Sequence, residues 1–195
     1  HTRIETSLAG SERARLLLDV TRLGMLAEQL LDMQRIERDQ SAMLQDLDMV
    51  EIGQTVAADL APLAIEAGYD LSFDSEVARW PIRGNRVALE RAVTNLVQNA
   101  IMHGGGAGLI RIQIDRDGAL EVSDEGPGLA PEHQRAVFEP FYRVHPLDHG
   151  SGLGLSLVEE VIHAHGGHVS AGQTPGGGAR FGIRLPGAPT RTGHG

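Results

Sequence analysis

Residues 95–105 read NLVQNAIMHGG. Leu96, Val97, Ala100, Ile101 and Met102 carry the spacing of a buried helix face. Asn95 and Asn99 stand four residues apart within it, on one side of the cylinder. Asparagine is a poor helix former, because its side chain competes for nearby backbone groups. Two amides one turn apart, where neither an acid nor a leucine stands, therefore call for a role beyond packing.

The helix holding them spans VALERAVTNLVQNAIMHG, residues 87–104. Before it, LDMVEI (47–52) reads as a short strand, and IGQTVAADLAPLAIEAG (52–68) as an amphipathic helix ended by Gly68. YDLSFDS (69–75) and WPIRG (80–84) alternate as strands do. After it, LIRIQIDRDGALEVSDEG (109–126) is a hairpin around Arg116-Asp117-Gly118. EEVIHAHGG (159–167) is a helix stopped by glycines, and HVSAGQTPGGGARFGIRLP (168–186) is a closing hairpin. Helices mixed with antiparallel strands, without βαβ regularity, predict an α+β two-layer sandwich.

The chain has 195 residues, 41% hydrophobic and 22% charged, as a globular protein of one or two domains has. Aromatics make up 4%, so the core rests on Leu, Val, Ile and Ala. A net charge of −9 argues against nonspecific nucleic-acid binding, which wants a basic surface. It leaves ATP open, since a local nest of amides holds phosphate inside an acidic protein. Cysteine is absent, which excludes disulfides and thiolate chemistry. No apolar run approaches the roughly 18 residues that cross a bilayer.

Residues 11–38 form the longest periodic segment. Leu16, Val20, Leu23, Ala27 and Leu30 alternate spacings of four and three, and Leu17, Leu26, Leu31 and Met33 widen the stripe toward a four-helix bundle. TRIETSLA forms a preceding antiparallel helix, with Ala9-Gly10-Ser11 as the turn. Two short helices do not close a core alone, so dimerisation is the simplest completion; the alternative is one long helix lying on the following domain. The expected domains are a helical hairpin over 1–40, a globular domain over 41–187 and a disordered tail over 188–195.

Two glycine-rich segments bear chemistry. Asp124 ends a strand and is followed by Gly126 and Gly128, so the backbone can approach a flat ligand while the carboxylate accepts from an exocyclic amine. By itself this spacing is weak evidence, because a turn needing positive φ accounts for it. Gly150, Gly152 and Gly154 precede a helix whose N-terminal amides would face an anion. Between the two segments, VHPLDH (144–149) reads as a lid.

In order and spacing these parts resemble the sensor histidine kinases of two-component systems. NLVQNAIMH is similar to their N box, DEGPGL to the first glycine box, FEPFYR to the F box, HGSGLGLSLVEEVIHAHGG to the second glycine box, and GGGARFGIRLP to the closing strands. The resemblance covers about residues 47–186. The N-terminal heptads resemble the dimerisation and histidine-phosphotransfer hairpin, with MLAEQLLDMQRIE as its second helix. The implied fold is the Bergerat ATP-binding sandwich joined to a helical dimerisation stub.

The resemblance also implies roles. Asn99 is the Mg²⁺ ligand, and magnesium, which keeps waters and bridges phosphates, needs little more from the protein. Asn95 lines the phosphate pocket; it stands where related ATPases carry a glutamate that activates water, so the amide favours a kinase over an ATPase. Asp124 reads adenine with the help of a water, beside Gly126 and Gly128. Leu129 and Leu153 line the adenine slot, Tyr142 the edge of the lid. Arg143 and the amides around Gly150, Gly152 and Gly154 meet the phosphates. His103 contacts the nucleotide; its alternative role is that of a helix C-terminal histidine favoured by the dipole.

Three departures qualify the match. Met102 stands where the family has Lys or Arg, and the lid holds no basic residue after Arg143, although His145 and His149 partly substitute. Fewer cations stabilise a transferring phosphoryl group less, which predicts modest ATP affinity. The phosphoacceptor box is absent: TRIETSL resembles the stretch just C-terminal to that box, and His1 lacks the neighbouring acid and proline. The chain is therefore expected to be the cytoplasmic ATP- and Mg²⁺-binding portion of a kinase anchored in the bacterial inner membrane. It would dimerise through its N-terminal helices, pass phosphate to a response-regulator receiver domain and fail to phosphorylate itself. The alternatives are an anti-sigma-type serine kinase, disfavoured by the heptad helix, and a degenerate nucleotide-binding dimerisation module.

Overall fold

A computed structural model describes residues 44–144, 152–187 and 190–191. The expected hairpin over 1–40, the loop histidines His145 and His149, and Gly150 lie outside the described residues. The chain opens with β1 (Gln45–Asp48), α1 (Met49–Glu66), β2 (Tyr69–Ser75), β3 (Val77–Arg79) and β4 (Pro81–Gly84). It continues with α2 (Arg86–His103), β5 (Gly108–Ile114), β6 (Ala119–Ser123) and two 3₁₀ turns at Pro131–His133 and Ala136–Phe138. α3 (Gly154–Ala164), β7 (His168–Gln173), β8 (Ala179–Arg184) and β9 (Thr190–Arg191) complete it.

Five strands form one sheet in the order β2-β5-β6-β8-β7. Alternation sets its two faces. Ile110, Ile112 and Ile114 of β5, Leu120 and Val122 of β6, and Phe181 and Ile183 of β8 are buried in a core shared with the helices. The alternate positions Arg111, Gln113, Glu121, Arg180 and Arg184 are exposed or half-buried. α2 buries Ala88, Leu89, Ala92, Val93, Leu96, Val97 and Ala100, a continuous 3.6-residue stripe. The result is the expected two-layer α+β sandwich.

Four local expectations change. The strand expected over 47–52 is β1 at Gln45–Asp48, and the helix begins earlier, at Met49. Asp48 decides this as N-cap: its Oδ1 accepts from Val50 N at 3.0 Å and from Trp80 N at 2.9 Å. Met49, Val50, Ile52, Gly53 and Val56 are then buried with helical rather than strand period. The sheet is mixed, since β2 runs parallel to β5; the segment between them, including α2, supplies the crossover a parallel pair requires. Met102, counted with the buried face, is 53% exposed, because the stripe of α2 turns past it. Within the tail, Thr190–Arg191 pairs antiparallel with β3, whose edge offers unpaired backbone groups.

Partial burial raises the pKa of the Asp48 carboxyl, but hydrogen bonds from Trp80 N–H, the Arg79 guanidinium and Val50 N–H outweigh it and hold the group below the usual carboxylate range. One acid thus starts α1 and ties it to the β1–β4 pair.

Candidate functional site

α2 carries Asn95 and Asn99 to a half-buried face. Asn95 points at the start of α3: a Cβ built on Gly154 would stand 3.8 Å from its Oδ1. Its Nδ2 is buried and has no hydrogen-bond partner among the described residues. The N-cap of α3 is Leu153, whose side chain makes no capping bond, and the Ser156 hydroxyl donates back to Leu153 O at 2.9 Å. The first turn of α3 and the side chain of Asn95, with its Oδ1 nearest Gly154, thus lie beside one another, and the N-terminus of a helix favours an anion. Gly154 is itself the first residue of the helix.

Asp124, 5% exposed, sits just beyond β6. Its Oδ1 accepts from Gly126 N at 2.9 Å and from Ala179 N at 3.1 Å, while its own N–H donates to Ala179 O at 3.0 Å. Both anchoring bonds fall on one oxygen, leaving Oδ2 for a donor on a ligand. The glycines around it are spacing devices. A Cβ on Gly126 would lie 2.7 Å from the Gly104 backbone at the end of α2, and one on Gly128 (φ +76) 2.0 Å from Gly177 O. Leu129 and Leu153 are buried, as an apolar slot requires.

Tyr142 is half-buried and its hydroxyl lies 2.7 Å from His133 Nδ1. Arg143 beside it is half-buried. Phe141, 60% exposed with φ 66°, donates its N–H to Gly152 O at 2.9 Å. Gly152 (φ +73) lets the two stems meet, since its Cβ would fall 2.9 Å from the Phe141 carbonyl carbon. His103 is exposed at the last turn of α2.

Sequence reading missed the supports of this site. Gly178 is the clearest: a Cβ there would lie 1.9 Å from Asp124 O. Ala179 contributes through its backbone and so leaves no side-chain signal. Tyr69, buried at the start of β2, accepts from Gly106 N at 2.5 Å and braces the glycine turn after α2. The run TPGGGAR, placed in the closing hairpin, is the available clue.

Residues 84–189 match the family model described as histidine kinase-, DNA gyrase B-, and HSP90-like ATPase. The sensor histidine kinase CpxA of Escherichia coli (strain K12) is 33% identical over 180 residues, covering 90% of this chain and 39% of that relative. The histidine-protein kinase/phosphatase MprB of Mycobacterium avium is 43% identical over 130 residues, covering 62% of this chain and 25% of that relative. The chain thus spans well under half the length of these curated relatives. A solved mycobacterial sensor histidine kinase MprB superposes with TM-score 0.64 at 29% identity, covering 76% of this chain and 100% of that one. Full-length ShkA in complex with AMPPNP superposes with TM-score 0.67 at 27% identity, covering 76% of this chain and 32% of that one. These relatives favour the histidine-kinase reading over the serine-kinase alternative. The chain belongs to the histidine kinase-, DNA gyrase B- and HSP90-like ATPase family, and it carries the ATP-binding domain of the sensor histidine kinase kind.

Proposed function

We propose that this domain binds Mg-ATP with the adenine at Asp124 and the phosphates between Asn95, Arg143 and the first turn of α3. In this reading it presents the γ-phosphoryl group to a histidine on a partner helix, for onward transfer to a response-regulator aspartate. Asp124 Oδ2 accepts from the adenine amine; Gly126 and Gly128 let the base lie against the backbone; Leu129 and Leu153 wall the slot; Tyr142 and His103 border its mouth. Asn99 offers the side-chain oxygen for magnesium. Among the described residues no three His, Asp or Glu side chains gather as a metal site, so the remaining oxygens would come from phosphates and water. Magnesium supplies charge neutralisation on the phosphates. Asn95 is not a general base near neutral pH, which suits an enzyme that spares ATP from water.

The observation that carries this reading is Asn95, whose buried Nδ2 has no partner among the described residues and whose Oδ1 lies beside Gly154, the first residue of α3. Unsatisfied buried donors are costly, and phosphate oxygens would repay them. The reading extends to a homodimer built by the N-terminal helices and to a membrane-anchored parent protein; among the described residues no helix is long and apolar enough to cross a membrane.

Calorimetry with Mg-ATP tests the site. Asn99→Ala should weaken Mg-ATP binding by about tenfold or more, the loss of one good ligand contact; unchanged affinity refutes the assignment. With γ-labelled ATP, the chain alone should acquire no acid-labile label, and a phosphoacceptor helix supplied in trans should acquire it. Label on the chain itself would overturn the expectation that it does not phosphorylate itself, and none on the helix would overturn the proposed transfer to a partner histidine.

A further inference from the structure

α2 and α3 lie antiparallel, and two contacts define their register. At one end Asn95 meets Gly154. At the other, the imidazole of His165 bridges the two helix ends: Asn85 N donates to Nε2 at 3.0 Å, and Nδ1 lies 2.7 Å from Val161 O. The backbone partners decide the tautomer, because an amide N–H only donates and a carbonyl only accepts. Nε2 is the acceptor and Nδ1 carries the proton. Asn85 is the N-cap of α2, its side chain accepting from Ala88 N at 3.1 Å, and His165 is the C-cap of α3. One ring thus satisfies an orphan donor of one helix and a terminal carbonyl of the other. Gly84 makes its slot, since a Cβ there would lie 2.8 Å from His165 Cδ2.

We propose that His165 is a positioning residue that locks the register of α3 on α2 and so holds the α3 N-terminus against Asn95, where the nucleotide phosphates bind. From Asn85 to Asn95 is ten residues and from Gly154 to His165 eleven, about 15 and 16.5 Å at 1.5 Å per residue. The two spans agree to about one residue, so a lock at the far end sets the position at the site end. The inference rests on the phosphate site proposed above. The adenine pocket is anchored separately, by Asp124 on the β7–β8 hairpin.

The test separates phosphate from base recognition in the full chain. His165→Gln keeps an acceptor near the Nε2 position, whereas His165→Asn keeps a group near Nδ1 and loses the acceptor for Asn85 N–H. Affinities for Mg-ADP and for adenosine are measured by calorimetry beside thermal unfolding. His165→Asn should weaken Mg-ADP about five- to tenfold, the scale of one displaced charge-assisted hydrogen bond, and leave adenosine within about twofold. His165→Gln should retain the wild-type ratio. Equal weakening of both ligands, no weakening of either, equal behaviour of the two variants, or an Asn variant that fails to fold would each overturn the register role. A wild-type chain that binds neither ligand would instead overturn the phosphate-site reading.

Discussion

Asp124→Asn isolates one oxygen. Both anchoring bonds of the carboxylate, from Gly126 N and Ala179 N, fall on Oδ1. An asparagine in the same rotamer keeps that acceptor and exchanges Oδ2 for an NH₂ group, so the loop and the β7–β8 hairpin stay joined. The adenine amine would then face a donor. Losing a hydrogen bond to a charged group costs about 1.5–3 kcal/mol, or about 10- to 150-fold in affinity. Stability should change by less than about 1 kcal/mol, because no anchor is lost. Asp124→Ala is the contrast: it orphans two backbone amides at a site 5% exposed. At about 1–3 kcal/mol each, that is a large share of the roughly 5–15 kcal/mol holding a domain together. Calorimetry with Mg-ATP and Mg-ITP reads the result. The asparagine NH₂ can donate to the 6-oxo group of inosine, so the preference for ATP over ITP should shrink or reverse. An asparagine variant with wild-type ATP preference, or one as unstable as the alanine variant, would refute the reasoning.

Three further outcomes rest on the same geometry. Asp48→Ala removes the cap of α1 and the acceptor for Trp80 N–H and should cost about 2–4 kcal/mol, read in urea by the fluorescence of Trp80, the only tryptophan and fully buried. Because the Asp48 pKa is lowered on folding, its contribution is complete above the unfolded carboxyl value and fades as pH falls below about 4; the acid limb of the stability profile should flatten in the variant. Gly178→Ala drives a Cβ to 1.9 Å from Asp124 O and should cost about 3 kcal/mol or more in the same assay, along with ATP binding. Asn95→Leu removes a buried donor that has no partner among the described residues and should stabilise the nucleotide-free domain by about 1 kcal/mol while weakening Mg-ATP; a destabilised variant with intact ATP affinity would contradict the role of that amide.

Periodicity made most elements legible. The stripe of α2 and the alternation of β5 and β6 are local patterns, and each element lies where its pattern placed it. The misplaced start of α1 shows where local reading stops. LDMVEI alternates well enough for a strand, and what turned its second half helical is Asp48 bonding to Val50 and to Trp80, a partner 32 residues away. The parallel pairing of β2 with β5 was hidden for a similar reason, since the crossover between them carries no regular βαβ spacing.

For the site, residue types in their order along the chain pointed to the chemistry. Two asparagines a turn apart, an aspartate before spaced glycines and a glycine run opening a helix are each weak alone, and it is their order, resembling the sensor histidine kinases, that implies a nucleotide pocket. Which backbone atoms hold those groups was decided only in three dimensions. Asp124 is anchored 55 residues away by Ala179 N, and His165 takes a bond from Asn85 N, 80 residues away. Backbone amides have no residue identity, and close approach between distant segments leaves only the absence of a side chain, as at Gly84, Gly126 and Gly178. Side-chain chemistry is written in the chain; the register that brings it to one place is a property of the packed helices and sheet.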